Sequence, residues 1–208
     1  MIILISENSK RLTPILPFHL FTQMSHQVTG AAILLSGLTG LALVQSTQLA
    51  NSFLPTTQQV LCSLPITLLV RMGLNAIDGM LAREHNQKSA LGCILNEMGD
   101  VVSDVFLYLP FALIAGISVL LIVGIVILAI ASEMVGVLGY EIDHKRHYEG
   151  PMGKSDRAFV FGVIGLLLGL GVAPSQWLTL LLIGVIILQI WTIINRTQGM
   201  LREVKSWK

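Results

Sequence analysis

The stretch Ile117-Ser-Val-Leu-Leu-Ile-Val-Gly-Ile-Val-Ile-Leu-Ala-Ile-Ala-Ser-Glu133-Met-Val-Gly-Val-Leu-Gly-Tyr140 decides the fold. Across its 24 residues it carries one charged side chain, Glu133. An α-helix rises about 1.5 Å per residue, so a block of roughly twenty apolar residues crosses the ~30 Å bilayer core. Lipid cannot satisfy open backbone donors and acceptors, so such a block must be helical. Similar blocks run from about Val28 to Val44, Val60 to Ala82, Leu91 to Ile114, Ala158 to Val172 and Trp177 to Ile194. The alternating ten-residue strands of a β-barrel are absent from the sequence. The expectation is an all-α integral membrane protein with six transmembrane helices, forming one domain over residues 1–208.

Composition agrees. Hydrophobic residues make up 53% and charged residues 12%, and mean hydropathy is +0.76; a soluble domain carries about 25% charged residues. A net charge of +1 offers nucleic acid no bulk attraction. Lys10, Arg11, Arg83, Lys88, Lys145, Arg146, Lys154, Arg157, Arg196, Arg202, Lys205 and Lys208 all fall on one side of a six-span layout. By the positive-inside rule that side, with both termini, is cytoplasmic. In a bacterium the host bilayer would be the cytoplasmic membrane. Arg71 is the exception and lies inside the second span. Residues 1 to about 26, with Lys10, Arg11, Pro14 and Pro17, read as an N-terminal amphipathic surface helix. Met1 to Ile5 is too short for a signal-peptide core, so no cleavable signal is expected. Cys62 and Cys93 fall at opposite faces of this layout, which argues against a disulfide between them.

Polar groups inside spans are costly and point to function. Asn75 and Asp78 stand near the cytoplasmic end of span two; Asn96, Asp100 and Asp104 stand in the cytoplasmic half of span three. Residues three or four apart share a helix face. A short loop joins the two spans, so both polar faces lie at similar depth and aim oxygen atoms at a common point. Hard oxygen donors suit Mg²⁺ or Mn²⁺, and a pair of such ions suits phosphoryl chemistry.

The residues Asn75-Ala-Ile-Asp78-Gly79-Met-Leu-Ala82-Arg83, then eight residues, then Gly92-Cys-Ile-Leu-Asn96-Glu-Met-Gly-Asp100, carry a resemblance. The pattern resembles D-x-x-D-G-x-x-A-R followed by G-x-x-x-D-x-x-x-D, the motif of the CDP-alcohol phosphotransferase (phosphatidyltransferase) family. Asp78, Gly79, Ala82, Arg83, Gly92 and Asp100 are identical to it; Asn75 and Asn96 replace two aspartates. The resemblance implies an enzyme of phospholipid synthesis with a divalent metal cofactor, Mg²⁺ or Mn²⁺, held by Asn75, Asp78, Asn96 and Asp100. Asp100 would be general base for the hydroxyl of an acceptor alcohol, small or phosphorylated. That hydroxyl would attack a CDP-linked lipid donor such as CDP-diacylglycerol and release CMP. Gly79, Ala82, Arg83 and Gly92 would line the donor, and a homodimer is expected by the same resemblance. The two asparagines keep oxygen ligands and lose charge, which Asp104 restores in part. They also motivate a different reading, a catalytically silent relative that binds CDP-lipid. A transporter, the third class, fits poorly because the acidic residues crowd one membrane face.

The loop from His144 to Arg157 is the other informative stretch. Arg146, Lys154 and Arg157 are candidates to hold an acceptor phosphate, against the alternative of a solvated loop facing lipid headgroups. Arg71 either neutralises the site, meets substrate phosphate or forms a structural ion pair. Glu133 reads as an interhelical polar contact, and His144 and His147 as surface histidines. The acceptor alcohol itself is not legible.

Overall fold

Polar and apolar blocks alternate along the chain, and the computed structural model turns each apolar block into a helix. It describes residues 18–48, 55–84, 90–142 and 144–206, with side chains outside 18–26, 78–84, 90, 93 and 203–206. Six long helices follow in order: α1 (Phe18–Gln48), α2 (Thr57–Glu84), α3 (Ala90–Tyr108), α4 (Val119–Ile142), α5 (Lys154–Gly169) and α6 (Gln176–Ser206). A 3-10 turn, Leu109–Leu113, ends α3. The turn begins where Pro110 lacks the N–H that a continuing α-helix needs, which shortens the third expected span.

Other boundaries move for local reasons. Phe18 to Gln27 continue into the first span as one helix, since nothing there breaks it; the rest of the expected surface helix lies outside the described residues. Asp156 accepts the Gly153 N–H at 2.9 Å, so α5 starts at Lys154 rather than at Ala158. A carboxylate at the third helical position is the usual reciprocal partner of the cap. Lys154 and Arg157 therefore sit on the first turns of a helix, not in a loop. The basic tail likewise prolongs α6.

Among the described residues, four helices contain segments long and apolar enough to cross a membrane: Gln27–Gln48, Thr57–Ile77, Val119–Ile142 and Gln176–Arg202. The α3 helix has 19 residues and carries Glu97, Asp100 and Asp104, while α5 has 16 residues. Helix α1 packs on both α2 and α3; α5 packs on α2, and α4 packs on α6. Glycines permit the closest approaches, as small residues do between membrane helices. A methyl group at Gly40 would collide with the Phe106 carbonyl, and one at Gly169 would lie 2.6 Å from the Cys62 sulfur. The apolar core centres on Leu64, Tyr108, Phe111, Phe161 and Ile164. Tyr108 stacks on Phe161 at 4.2 Å, and Phe111 meets the same ring edge-on at 5.2 Å.

Candidate active site

Arg71 and Asn75 are one turn apart on α2; Asp100 and Asp104 are one turn apart on α3. The two helices are both seated on α1, and these pairs meet as two rungs. In the first, Asn75 Nδ2 donates to Asp100 Oδ1 at 2.7 Å. In the second, Arg71 Nη1 lies 2.6 Å from Asp104 Oδ1. Arg71 ties the rungs together, since its Nη2 donates to the Asp100 backbone carbonyl at 2.9 Å and stands 3.9 Å from Oδ1. The sequence-predicted pair Asn75 and Asp100 is thus in direct contact.

The other Asp100 oxygen is ion-paired to Lys154 on the first turn of α5. Asn96 is half-buried one turn before Asp100, and Gly92 is half-buried one turn earlier still. Asp78, Gly79, Ala82 and Arg83 occupy the last turns of α2, and their side chains lie outside the described residues.

The remaining candidates are bound up in a buried charge network. Arg157 is fully buried. Its Nη2 donates to Asp104 Oδ2 at 3.0 Å and to Glu133 Oε1 at 2.9 Å, and its Nη1 donates to the Met152 carbonyl at 3.3 Å. Arg146 pairs with Glu97 on α3 and with Glu133 at 2.8 Å, and its guanidinium lies 4.9 Å from the centre of the Tyr148 ring. Arg196 on α6 stands 3.7 Å from Glu133. Of the cations proposed for an acceptor phosphate, Lys154 pairs with Asp100, Arg146 with Glu97 and Glu133, and Arg157 with Asp104 and Glu133. Asp104 likewise serves two arginines.

Glu97 went unmarked in the sequence, although its position three residues before Asp100 puts it on the same face. His147 was expected at the surface. It is buried instead, because its backbone N–H reaches the Gly136 carbonyl at 3.2 Å and its ring packs where Gly199 leaves room. Nδ1 then pairs with Glu149 at 3.0 Å.

An apolar groove of about 410 Å³ runs between α2 and α5. Pro65, Leu69 and Met72 form one wall; Ser155, Phe159 and Val163 form the other. Ser155, on the first turn of α5, follows Lys154 in sequence.

The sequence pattern of the CDP-alcohol phosphatidyltransferase family matches residues 23–196. The chain belongs to that family. It is also 44% identical over 177 residues to the inner membrane protein YnbA of Escherichia coli (strain K12), an overlap spanning 85% of this chain and 84% of that protein. No solved structure matches. Four apolar helices of membrane-crossing length, together with likeness to an inner membrane protein, make this member of the family an integral membrane protein.

The family is in general divalent-metal dependent. Asn75 and Asp100 supply hard oxygen donors of the kind Mg²⁺ or Mn²⁺ takes. Among the described residues no group of three or more His, Cys, Asp or Glu converges. Both Asp100 oxygens are met by protein donors, Oδ1 by the Asn75 amide and Oδ2 by the Lys154 ammonium. The donor chemistry fits the ion, provided that Lys154 swings aside.

Proposed function

We propose that this protein transfers a phosphatidyl-type group from a CDP-linked lipid donor, CDP-diacylglycerol by preference, to an acceptor alcohol. The observation that carries the reading is the Asn75–Asp100 contact. It joins the two halves of the family motif across α2 and α3. In this reading Asp78 and Asn96 join Asn75 and Asp100 as the ligands of one metal site, as the helical spacing of the motif favours. A divalent ion held there would neutralise diphosphate charge and polarise the phosphorus.

The chain's own residues would do the rest. Asp100 takes the proton of the acceptor hydroxyl once Lys154 leaves it. The hydroxyl oxygen bonds to the phosphorus distal to cytidine, and the bond from that phosphorus to the bridging oxygen breaks. CMP departs with the bonding pair. Lys154 and Arg146 hold an anionic acceptor by charge-assisted hydrogen bonds, with Arg157 bracing them from below. Gly79, Ala82, Arg83 and Gly92 line the donor. The groove between α2 and α5, the helices that carry Asn75 and Lys154, suits its acyl chains, being apolar. All six helices cross the bilayer in this reading, with both termini and the site in the cytoplasm, because Lys and Arg lie so one-sidedly along the chain.

Release of CMP from CDP-diacylglycerol by purified protein, with a panel of glycerol 3-phosphate, inositol phosphate, serine and glycerol, tests the proposal. No release with any acceptor would leave the second reading, a silent relative that binds CDP-lipid. Two asparagines at aspartate positions and the Lys154–Asp100 pair favour that second reading.

A further inference from the structure

Glu133 is a carboxylate set within the most apolar span of the chain, and it is 5% exposed. Arg157 Nη2 lies 2.9 Å from its Oε1, Arg146 Nη2 2.8 Å from its Oε2, and Arg196 Nη1 3.7 Å from its Oε1. These arginines come from three places: the start of α5, the connection between α4 and α5, and α6. Two of them continue to α3, since Arg157 reaches Asp104 and Arg146 reaches Glu97. Stability is a weak reason for such an arrangement. Desolvating buried ions costs about as much as their attraction returns, and apolar replacements are often neutral or better. Fixing geometry is the stronger reason. The two terminal nitrogens of Arg146 are held by two different helices, Nη1 by Glu97 of α3 and Nη2 by Glu133 of α4.

The connection that carries Arg146 is seated on the same two helices as Glu133 and Arg196. His147 N–H donates to the Gly136 carbonyl of α4, and Met152 N–H donates to Thr192 Oγ1 of α6 at 3.0 Å. A side chain at Gly139 would strike the Lys145 carbonyl, and Gly150, at φ +130°, would meet Thr192 with any Cβ. A positive φ of that size favours glycine. Backbone contacts therefore bring the connection down onto α4 and α6, and Glu133 sets where its guanidinium points.

We propose that Glu133 is a positioning residue for the acceptor side of the transfer, holding the Arg146 guanidinium over the Glu97–Asp100 face of α3 and bracing Arg157 against Asp104. The proposal rests on the transferase reading above. Glu133 touches neither donor nor acceptor; it acts through Arg146. Removing its charge while keeping its shape takes away the α4 anchor of Arg146, so an anionic acceptor meets a guanidinium that α4 no longer orients.

The test uses the full chain in detergent with Glu133→Gln and Glu133→Asp. Steady-state KM is measured for CDP-diacylglycerol and for whichever acceptor the panel supports. Trypsin cleavage after Lys145 and Arg146 is mapped by mass spectrometry, and melting temperature is recorded for each protein. Glu133→Gln should raise acceptor KM on the order of tenfold, the loss of one charge-assisted contact, while donor KM and kcat at saturating acceptor move much less. It should also quicken cleavage after Arg146. Glu133→Asp should recover part of both effects because it retains the charge. Unchanged acceptor KM, or a parallel fall in kcat and melting temperature in both variants, would overturn the proposal in favour of a purely structural ion pair. If the unsubstituted protein releases no CMP, the transferase reading fails. Cleavage then decides the positioning claim: faster cleavage in Glu133→Gln at unchanged melting temperature sustains it, and unchanged cleavage overturns it.

Discussion

The Lys154 ammonium and the Asn75 amide each hold one oxygen of the Asp100 carboxylate, so the proposed base is gripped from α5 and α2 at once. Asp100→Asn removes the proton acceptor and the charge paired with Lys154, while its amide oxygen can still accept from Asn75. It should abolish CMP release without loss of the folded bundle, as read by CMP assay beside a melting curve. Near-normal turnover would refute Asp100 as the base.

In the proposed mechanism Lys154 leaves Asp100 before that carboxylate acts as base, and its ammonium then meets the acceptor. Lys154→Ala should raise acceptor KM more than donor KM, by roughly 10- to 150-fold for the loss of a charged hydrogen bond worth about 1.5–3 kcal/mol. Equal changes in the two constants would assign Lys154 to holding the fold.

Asn75 and Asn96 offer amide oxygens where carboxylates would bind a cation more strongly. Asn75→Asp and Asn96→Asp should each tighten Mg²⁺ or Mn²⁺ binding, measured by calorimetry on the purified protein, whatever they do to turnover. A weaker or unaltered affinity in both would remove these positions from the metal site.

Arg157 stands between Asp104 and Glu133 with no exposure to solvent. Arg157→Ala takes one arginine away from each of two buried carboxylates, Asp104 and Glu133, and breaking a buried ion pair costs about 3–5 kcal/mol in comparable cases. The melting temperature in detergent should drop sharply. A drop no larger than that of an exposed substitution such as Leu120→Ala would contradict the buried network.

Reporter fusions test the membrane layout. Fusions after Val172 should read as external and fusions after Glu149 as cytoplasmic, because Lys145, Arg146, Lys154 and Arg157 flank the second site and no Lys or Arg lies between Arg157 and Arg196. The reverse pattern would invert the protein and its site.

Much of this molecule follows from chain order alone. Blocks of apolar residues such as Ile117 to Tyr140 must be helical in lipid because nothing else can satisfy the backbone there. The spacing of Asn75, Asp78, Asn96 and Asp100 puts polar groups on single helix faces near one loop, which made the motif and the family legible. The Asn75–Asp100 contact belongs to what that spacing anticipates. Helix starts were less legible. Whether α5 begins at Lys154 or at Ala158 turned on one capping bond from Asp156, a local competition that periodicity does not resolve.

The partners of the buried charges were decided only by the tertiary structure. Glu133 and Arg157 are 24 residues apart, Asp104 and Arg157 are 53 apart, and Ser132 and Arg196 are 64 apart. Their pairing depends on how α3, α4, α5 and α6 are rotated against one another. That rotation comes from packing, from glycines such as Gly136 and Gly139 that let the connection after α4 descend onto its surface. Helical periodicity assigns each residue a face of its own helix; which face meets which neighbour is settled by close contact across the bundle.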